Sequence, residues 1–457
     1  MKSIFFVINE GFSSRYLLRS NLLNFSSKQY KIVILSPNAH EKYFINDFSG
    51  KNIFFELYEN QKYIKTRFSK LMHYIRILSF KKKYKNKFSE YWSDKYFENK
   101  NIILKNILKA IIYLYSNIKF VRSFLNYLSL VTAPVKYQFL FKKYKPSAIL
   151  VTSLGNLSND CFIMYEARKS KCKIISLILS WDNTTTKGLK CLNPDYVVSW
   201  SKVMTKELIN FHDINKNKII THGSVQFEEY FKQKKYSKIF FKKKFNITNK
   251  NKILTLFLES PTSFSKNINL INILIKFNEL NNFRYNIIIR PHPLAFRIEN
   301  NKFKFYNEIK KYKTFEKKHT FLRINFPKIK SKILSYDMDT TETDNVATLI
   351  YHSDLVLCFY STIMLEAAVF KKPTINLSIY ERDVIPNKVL SKLNHNRRVL
   401  EYGVIEDVKS TTQLYSKISY LLKYKKPKKN LNELLRNELI QSSNASKLIF
   451  NSISKII

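Results

Sequence analysis

Short apolar runs rich in Ile, Val, Leu and Phe alternate along this chain with longer stretches whose apolar residues recur at helical spacing. This alternation predicts an α/β protein with parallel sheets, because parallel strands need a crossover connection, usually a helix, between them. In the first half we predict strands at residues 3–8, 30–36, 148–152, 173–179 and 196–200. In the second half we predict strands at residues 253–258, 286–289, 332–336, 355–359 and 374–377.

The two sets of strands indicate two domains of similar construction. A length of 457 residues leaves room for two or three domains, and a lysine-rich break at residues 231–252 separates the sets. We therefore predict two Rossmann-like domains facing a cleft, at residues 1–235 and 236–410, followed by C-terminal helices at residues 411–457. The six glycines form no GxGxxG motif, which disfavours NAD or FAD as a ligand.

A basic insert interrupts the first predicted domain at residues 62–145. It contains 20 Lys or Arg residues against three acids, in a chain whose net charge is +45. Its segments 102–115 and 120–131 carry apolar residues at helical spacing, which predicts helices. Such a region attracts polyanions, namely anionic lipid headgroups, nucleic acid or an acidic glycan. The alternative is an ordinary solvated surface whose lysines reflect an AT-rich genome, and the sequence leaves both readings open.

Cysteine usage and hydropathy favour a cytoplasmic protein. Cys161, Cys172, Cys191 and Cys358 are scattered, with no CxxC pair, so we expect reduced thiols and no structural zinc. The first nine residues look like a strand and lack the features of a signal peptide. No apolar stretch approaches the roughly 18–20 residues that a membrane-spanning helix needs.

Polar side chains follow two predicted strands of the second half. Arg290 and His292, in Arg-Pro-His-Pro, come directly after one strand, and Ser361 and Thr362 come after another. Because ligands of open α/β sheets bind beyond the carboxyl ends of the strands, these groups form a candidate phosphate site. The ordinary alternatives are prolines that end a strand, a surface histidine, and hydroxyls that merely cap a helix.

Glu366 extends this candidate site toward a ribose. It lies four residues after Thr362 and therefore on the same helical face, within an apolar segment where an unpaired carboxylate is costly. Hydrogen bonds to ribose hydroxyls would explain its presence there. A salt bridge to Lys371 is the alternative.

The first half also places polar groups after strands. Glu10, Asp160 and Asp182 are candidates for a general base on an acceptor hydroxyl, and the residues alone do not rank them. Residues 180–188 contain more hydrogen-bonding groups than a loop needs, and Gly223 allows close approach of the backbone. The candidate acceptor or cleft residues of these loops are Trp181, Asn183, Lys187, Gly188, His222, Gly223 and Ser224.

Together these residues resemble the GT-B glycosyltransferase superfamily, in its bacterial surface-carbohydrate branch. The Arg-Pro-His-Pro segment is similar to the His-Pro motif of CDP-glycerol glycerophosphotransferases, polysialyltransferases and capsular Kdo transferases. Ser361, Thr362 and Glu366 resemble the later hydroxyl pair and helix of those enzymes, although position 362 is Thr where they often have a second Ser. The likeness covers residues 145–380 and leaves the insert unmatched.

The resemblance implies residue roles and no metal or other cofactor. His292 and Ser361 would contact the donor phosphate, and Glu366 the ribose or sugar. From their positions after strands, we expect Glu10 or Asp182 to join His292 as a catalytic residue. We take Arg290, Ser260, Ser361, Thr362 and Glu366 as the candidate donor-binding residues.

The implied activity is transfer of a sugar, or a polyol phosphate, from a nucleotide-activated donor to a surface-glycan or lipid-linked acceptor. We expect a cytoplasmic protein, with residues 62–145 giving it a peripheral position on the cytosolic face of the inner membrane. Nucleic acid is not expected as a partner, because no binding motif accompanies the charge. The alternatives are a non-hydrolysing UDP-sugar 2-epimerase, which needs no acceptor, and a non-enzymatic basic protein that binds membranes or polyanions.

Overall fold

The chain divides into two compact units. The structure, a computed structural model, describes residues 1–63, 65–80, 86–156, 159–232, 237–299, 302–331, 333–334, 337–424 and 430–457. The first unit comprises Met1–Gln226, Leu393–His395 and Asn437–Ile457, and the second comprises Phe227–Lys392 and Asn396–Arg436. Sequence analysis instead placed the division at residue 235 and grouped residues 411–457 as separate C-terminal helices.

The first unit is built on a seven-stranded parallel sheet of order β3-β2-β1-β4-β5-β6-β7. Its strands are β1 Ser3–Val7, β2 Lys31–Ser36, β3 Ile53–Leu57, β4 Ala148–Val151, β5 Lys173–Leu177, β6 Tyr196–Ser199 and β7 Ile219–Thr221. Its helices before the second unit are α1 Gly11–Leu17, α2 Asn21–Gln29, α3 Lys42–Phe48, α4 Arg67–Leu78, α5 Lys87–Phe97, α6 Ile102–Asn117, α7 Lys119–Val131, α8 Gln138–Tyr144, α9 Asp160–Lys169, α10 Asn183–Thr186 and α11 Lys202–His212. Phe5 of β1 lies opposite Val33 and Ile149 of the neighbouring strands, in a core covered by α9.

The second unit has a six-stranded parallel sheet of order β12-β9-β8-β13-β14-β15 and a small hairpin of β10 and β11. Its strands are β8 Lys252–Phe257, β9 Tyr285–Arg290, β10 Ile298–Glu299, β11 Lys302–Phe303, β12 Leu322–Ile324, β13 Leu355–Cys358, β14 Thr374–Leu377 and β15 Ile405–Val408. Its helices are α12 Glu228–Phe231, α13 Lys238–Lys244, α14 Asn267–Leu280, α15 Tyr306–Lys318, α16 Glu342–His352, α17 Ile363–Val369, α18 Asn387–Leu390, α19 Asn394–Glu401, α20 Thr411–Lys423 and α21 Leu431–Glu438. The first two residues of α19 and the last two of α21 belong to the first unit. The last helix, α22 Ala445–Ile456, belongs to the first unit and packs against α2.

The prediction of an α/β protein with two Rossmann-like units is confirmed by the two parallel sheets. The edge strands β3, β7, β12 and β15 were not predicted. β3 is only half-buried, β7 and β12 have three residues each, and β15 contains two acids, so none of them forms a long apolar run. A predicted strand at residues 332–336 lies mostly outside the described residues, and its described members Ile333 and Leu334 are not in a strand.

The basic insert is a helical layer on the first unit, formed by α4 to α8. The two predicted helices at 102–115 and 120–131 correspond to α6 and α7. Met72 and Ile75 of α4 pack with Tyr115 of α6, and this cluster also contains Leu189 and Phe211. The insert is therefore held on the unit by its own apolar core.

Gly188 ends the loop that follows β5, where it lies against the backbone of α4. Its φ of +82° is in the left-handed region, and a Cβ added there would lie 2.9 Å from the backbone nitrogen of Ile77. The Gly188 carbonyl accepts a hydrogen bond from Asn156 Nδ2 at 2.9 Å. Gly188 thus has a structural reason to be glycine, which is independent of ligand binding.

We predict that Gly188→Ala lowers the free energy of unfolding by roughly 2–4 kcal/mol, because it adds a backbone clash to a left-handed conformation. Gly403→Ala is the matched control, since Gly403 also has a positive φ but nothing lies within 4 Å of an added Cβ. It should cost only about 1 kcal/mol. Equal losses of stability in chemical denaturation would contradict the packing argument.

Candidate functional site

Four neighbouring strands of the second sheet carry polar groups just beyond their carboxyl ends. Glu259 follows β8, His292 follows β9, Ser361 follows β13 and Arg382 follows β14. The order β9-β8-β13-β14 places these loops side by side, and the direction of the crossover connections reverses between β8 and β13. Ligands of open α/β sheets bind at such a reversal.

The imidazole of His292 has a defined tautomer. The residue begins a short 3₁₀ turn, Pro293–Phe296, and its Nδ1 accepts a hydrogen bond from the Leu294 N–H at 3.2 Å. Burial lowers the pKa of His292, the Glu259 charge opposes this effect, and the Arg290 charge adds to it. The ring is therefore neutral at pH 7, with its proton on Nε2, and it is a hydrogen-bond donor at that atom.

The guanidinium of Arg290 is satisfied by partners within the second unit. Its Nη1 donates to Asn325 Oδ1 at 2.7 Å, and its Nη2 forms a buried ion pair with Glu342. The side chain is 4% exposed. The sequence hypothesis gave Arg290 a donor-binding role, whereas in the structure it anchors the strand end and places positive charge near His292.

Ser361 and Thr362 differ in the availability of their hydroxyls. The Ser361 side chain is partly exposed and makes no hydrogen bond within the part of the chain that the structure describes. Thr362 Oγ1 donates to Glu366 Oε1 at 3.0 Å, and Tyr230 Oη donates to Glu366 Oε2 at 2.5 Å. These two hydroxyls explain how the carboxylate of Glu366 is tolerated in a buried position. Tyr230 was not predicted, because it lies far from Glu366 in sequence.

Arg382 is a second residue that sequence analysis did not select. Its guanidinium is buried against the adjacent rings of Phe264 and Phe359, 5.1 and 4.4 Å from their centroids. Nη1 lies 3.0 Å from Glu259 Oε2, but neither Nη atom makes a hydrogen bond of good geometry among the described residues. Buried N–H groups without partners are rare and costly, and an anionic ligand would satisfy them. The available sequence signal was a lone arginine shortly after strand 374–377.

Ser260 lies in the same group of loops but is held internally. Its hydroxyl is buried and lies 2.7 Å from Thr262 Oγ1, while its N–H donates to Glu259 Oε1 at 3.0 Å. Ser260 thus fixes the carboxylate that faces both His292 and Arg382.

Three carboxylates follow the adjacent strands β1, β4 and β5 of the first sheet, and their environments differ. Burial raises the pKa of Glu10, and the charge of Lys187 opposes the shift. Burial, together with the Glu10 charge, raises the pKa of Asp160 to about 7 despite a hydrogen bond of 2.6 Å from Ser153 Oγ and another from the Asn9 amide. Glu10 is partly exposed, whereas Asp160 is buried.

Asp182 behaves in the opposite way. Burial alone would raise its pKa, but the charges of Lys187 and His395 and hydrogen bonds from Ser180 and Thr186 lower the pKa to about 2. Thr186 Oγ1 lies 2.7 Å from Asp182 Oδ2, and Lys187 Nζ lies 3.9 Å from the same oxygen. Asp182 is therefore ionised at neutral pH and poorly suited to accept a proton.

Much of the loop at residues 180–188 is fixed by contacts within the first unit. Trp181 is buried, with its ring edge-on to His395 at 4.9 Å. Asn183 and the three threonines of α10 are buried, and Thr184 Oγ1 donates to Glu207 on α11 at 2.5 Å. Only Asp182 and Lys187 of this loop combine partial exposure with charge.

The residues His222, Gly223 and Ser224 join the end of β7 to other parts of the first unit. His222 Nε2 lies 2.8 Å from Ser452 Oγ on α22, and Ser224 Oγ accepts a hydrogen bond from Tyr16 on α1 at 2.9 Å. A Cβ on Gly223 would lie 2.9 Å from the carbonyl oxygen of Ile440. These contacts give all three residues a structural role.

Three solved structures show what the fold resembles. The MnaA–UDP co-structure from S. aureus has a TM-score of 0.55 at 11% identity and covers 100% of this chain and 97% of that chain. UDP-GlcNAc 2-epimerase from Neisseria meningitidis bound to UDP-GlcNAc has a TM-score of 0.51 at 12% identity, with 100% of both chains covered. The Methanocaldococcus jannaschii UDP-GlcNAc 2-epimerase in complex with UDP-GlcNAc and UDP has a TM-score of 0.50 at 12% identity, with 99% of both chains covered. No protein-family model and no curated protein matches the sequence.

The chain has the GT-B fold, as predicted from the Arg-Pro-His-Pro and Ser361-Thr362 segments. Full coverage of both chains extends this likeness beyond residues 145–380. At these identities the likeness establishes the fold, and the chemistry has to be argued from the side chains.

We predict that ionisation of Asp160 destabilises the first unit. Its carboxyl binds a proton more tightly in the folded than in the unfolded chain, so stability is lost as pH rises from about 4 to about 7. Asp160→Asn should remove roughly 4 kcal/mol of this pH dependence at most, as measured by chemical denaturation across the range. Asp94→Asn, at an exposed carboxylate on α5, is the control and should leave the profile unchanged. A wild-type profile in Asp160→Asn would contradict the shifted pKa.

Proposed function

We propose that this protein is a metal-independent GT-B transferase. It moves a sugar, or a polyol phosphate, from a nucleotide-activated donor to a surface-glycan or lipid-linked acceptor. The observation that carries the proposal is the carboxyl edge of the second sheet, where N–H and O–H donors that make no hydrogen bond among the described residues meet. These donors are the Arg382 guanidinium and the Ser361 hydroxyl, with the neutral His292 beside them.

Binding of the donor diphosphate follows from these groups. Arg382 supplies a fixed positive charge and N–H donors, which suit phosphate oxygens. Ser361 supplies a hydroxyl that makes no hydrogen bond with another described residue. Glu366 uses one lone pair of each oxygen for Thr362 and Tyr230, and its remaining lone pairs can accept ribose hydroxyls.

His292 acts in this proposal on the leaving group. When the bond between the transferred group and the donor phosphate breaks, its electron pair goes to the phosphate oxygen. The Nε2–H of a neutral imidazole can donate to that oxygen as its negative charge develops. The lowered pKa of His292 keeps the ring in this donor form throughout the neutral range.

Glu10 is the best candidate for the base that accepts the acceptor's proton. It is partly exposed, burial raises its pKa toward the working range, and its carboxylate makes no hydrogen bond among the described residues. Asp160 is buried and engaged by Ser153 and Asn9, while the lowered pKa of Asp182 makes it a weak base.

A UDP-sugar 2-epimerase is the second candidate. The observation that favours it is the likeness to two UDP-GlcNAc 2-epimerases with TM-scores of 0.51 and 0.50. The same phosphate-binding edge would serve, but a base would then remove a proton from carbon of the donor sugar, and no acceptor would be needed. A non-enzymatic role in binding membranes or polyanions does not account for the Arg382 and Ser361 donors that make no hydrogen bond among the described residues of the second sheet.

We predict that His292→Ala lowers turnover by about 10²–10⁴-fold, because it removes the hydrogen bond to the developing negative charge. His319→Ala is the matched control, since His319 is a partly buried histidine at the end of α15 in the same unit. Both variants should keep the wild-type thermal unfolding midpoint. Near-wild-type turnover by a folded His292→Ala protein would contradict the proposed role of His292 in stabilising the leaving group.

We predict that Glu10→Gln abolishes transfer but leaves donor binding intact. In the wild type, the transfer rate should rise with pH through the raised pKa of Glu10, because the base must lose its proton first.

UDP-, CDP-, CMP- and GDP-linked donors would be screened by thermal shift and then incubated with and without an acceptor-containing membrane fraction. Release of nucleotide only with acceptor supports the transferase. If NMR shows that UDP-GlcNAc is converted to its C2 epimer in the absence of any acceptor, the protein is an epimerase and the transferase proposal is wrong.

A further inference from the structure

One apolar stripe of α7 faces away from the protein, whereas Leu125 and Leu130 of the same helix pack inward. Phe120, Phe124, Tyr127 and Val131 recur at positions i, i+4, i+7 and i+11, which places them on one side of the helix. Phe120 is 77% exposed, Phe124 50% and Tyr127 56%, and the two phenyl rings stack on each other. A surface helix normally buries such a stripe, so α7 is oriented opposite to the usual pattern.

The inward side of α7 carries polar residues beside Leu130, and their contacts explain this orientation. Arg122 is buried and lies 3.0 Å from Asp213. Asn126 is also buried, and its Oδ1 accepts hydrogen bonds from Tyr115 at 2.8 Å and Arg76 at 3.3 Å. Rotating the helix to bury its phenylalanines would break these contacts and bury unpaired polar groups.

Helix α6, which precedes α7 and packs against it, repeats this exposed apolar pattern. Ile103, Ile107, Ala110 and Leu114 have the same i, i+4, i+7, i+11 spacing. Ile103 is 67% exposed and Ile107 52%, whereas Leu108 and Tyr115 on another side are buried. Single exposed apolar residues are common, but two neighbouring helices with continuous exposed stripes indicate an interaction surface.

The charge of these helices selects the kind of surface they would contact. Neither α6 nor α7 contains an acidic residue, and α6 carries Lys105 and Lys109. Lys119 begins α7. Lys105 and Lys109 lie on other sides of α6 than its apolar stripe. The attraction to an anionic membrane therefore comes from Lys119 and from the insert as a whole, which has 20 Lys or Arg residues against three acids. In the part of the chain that the structure describes, no helix is long and apolar enough to cross a bilayer.

We propose that α6 and α7 form a membrane-docking surface that lies flat on an anionic lipid bilayer. The exposed side chains of Ile103, Ile107, Leu114, Phe120, Phe124 and Tyr127 enter the boundary between headgroups and acyl chains. The excess positive charge of residues 62–145 attracts the anionic headgroups. The proposal goes beyond the catalytic function and holds whether the enzyme is a transferase or an epimerase.

Vesicle flotation of the full-length protein tests this surface. Wild type should float with vesicles of phosphatidylcholine mixed with phosphatidylglycerol, and less with phosphatidylcholine alone. Ile107→Glu and Phe124→Glu should each reduce binding to the mixed vesicles about tenfold or more, because each removes a large apolar side chain from the lipid boundary. Both positions are at least half exposed, so the thermal unfolding midpoint should stay unchanged.

Ile239→Glu is the matched control. Ile239 is 83% exposed on α13 of the second unit, so the same substitution alters an exposed isoleucine that belongs to neither α6 nor α7. It should float as the wild type does. Unchanged flotation of Ile107→Glu and Phe124→Glu, or no flotation of the wild type, overturns the proposal. A wild-type dimer without lipid binding that both variants convert to a monomer would instead assign the surface to a second copy of the chain.

Discussion

The reversal of strand order in each parallel sheet is the constraint on which the candidate sites depend. In the first sheet the connections from β1 and β4 run toward opposite edges of the sheet, and in the second sheet the connections from β8 and β13 do the same. The loops beyond the two central strands therefore separate and leave a crevice between them, where ligands of such sheets bind. In the second unit this edge brings together His292, Ser361 and Arg382, which lie on three separate loops. No single loop contains the set, and without that strand order the same residues would be unrelated surface groups.

Central strands and strand-end positions were readable from the sequence because burial on both faces demands continuous apolar runs. The predicted bounds of β1, β13 and β14 differ from the observed ones by at most one residue at either end. Edge strands were not predicted because they are partly exposed to solvent. Their apolar runs are therefore short or interrupted by polar residues. The helices of the insert were found because their apolar spacing is regular.

What the sequence could not supply is the identity of each charged group's partner. Arg290 and Arg382 both lie near strand ends and both pair with a carboxylate, Glu342 and Glu259. Arg290 is also hydrogen-bonded by Asn325, whereas Arg382 keeps N–H groups without hydrogen bonds. The carboxylates show the same effect. Asp182 lies near Lys187 and has a pKa of about 2, whereas burial without a cation brings that of Asp160 to about 7. Partners of this kind come from distant segments, and only tertiary structure assigns them.

In helix α7, too, tertiary contacts decide something that the sequence does not show, namely which side of the helix is buried. Its spacing predicted an amphipathic helix, and the usual assumption turns the apolar stripe inward. In the structure, Arg122 and Asn126 have partners only on the inside, so their hydrogen bonds and ion pair determine which side is buried. The exposed Phe120 and Phe124 then carry an unfavourable hydration free energy in water, which an apolar surrounding would remove. The polar contacts that hold α7 on the first unit therefore also present its apolar side for binding.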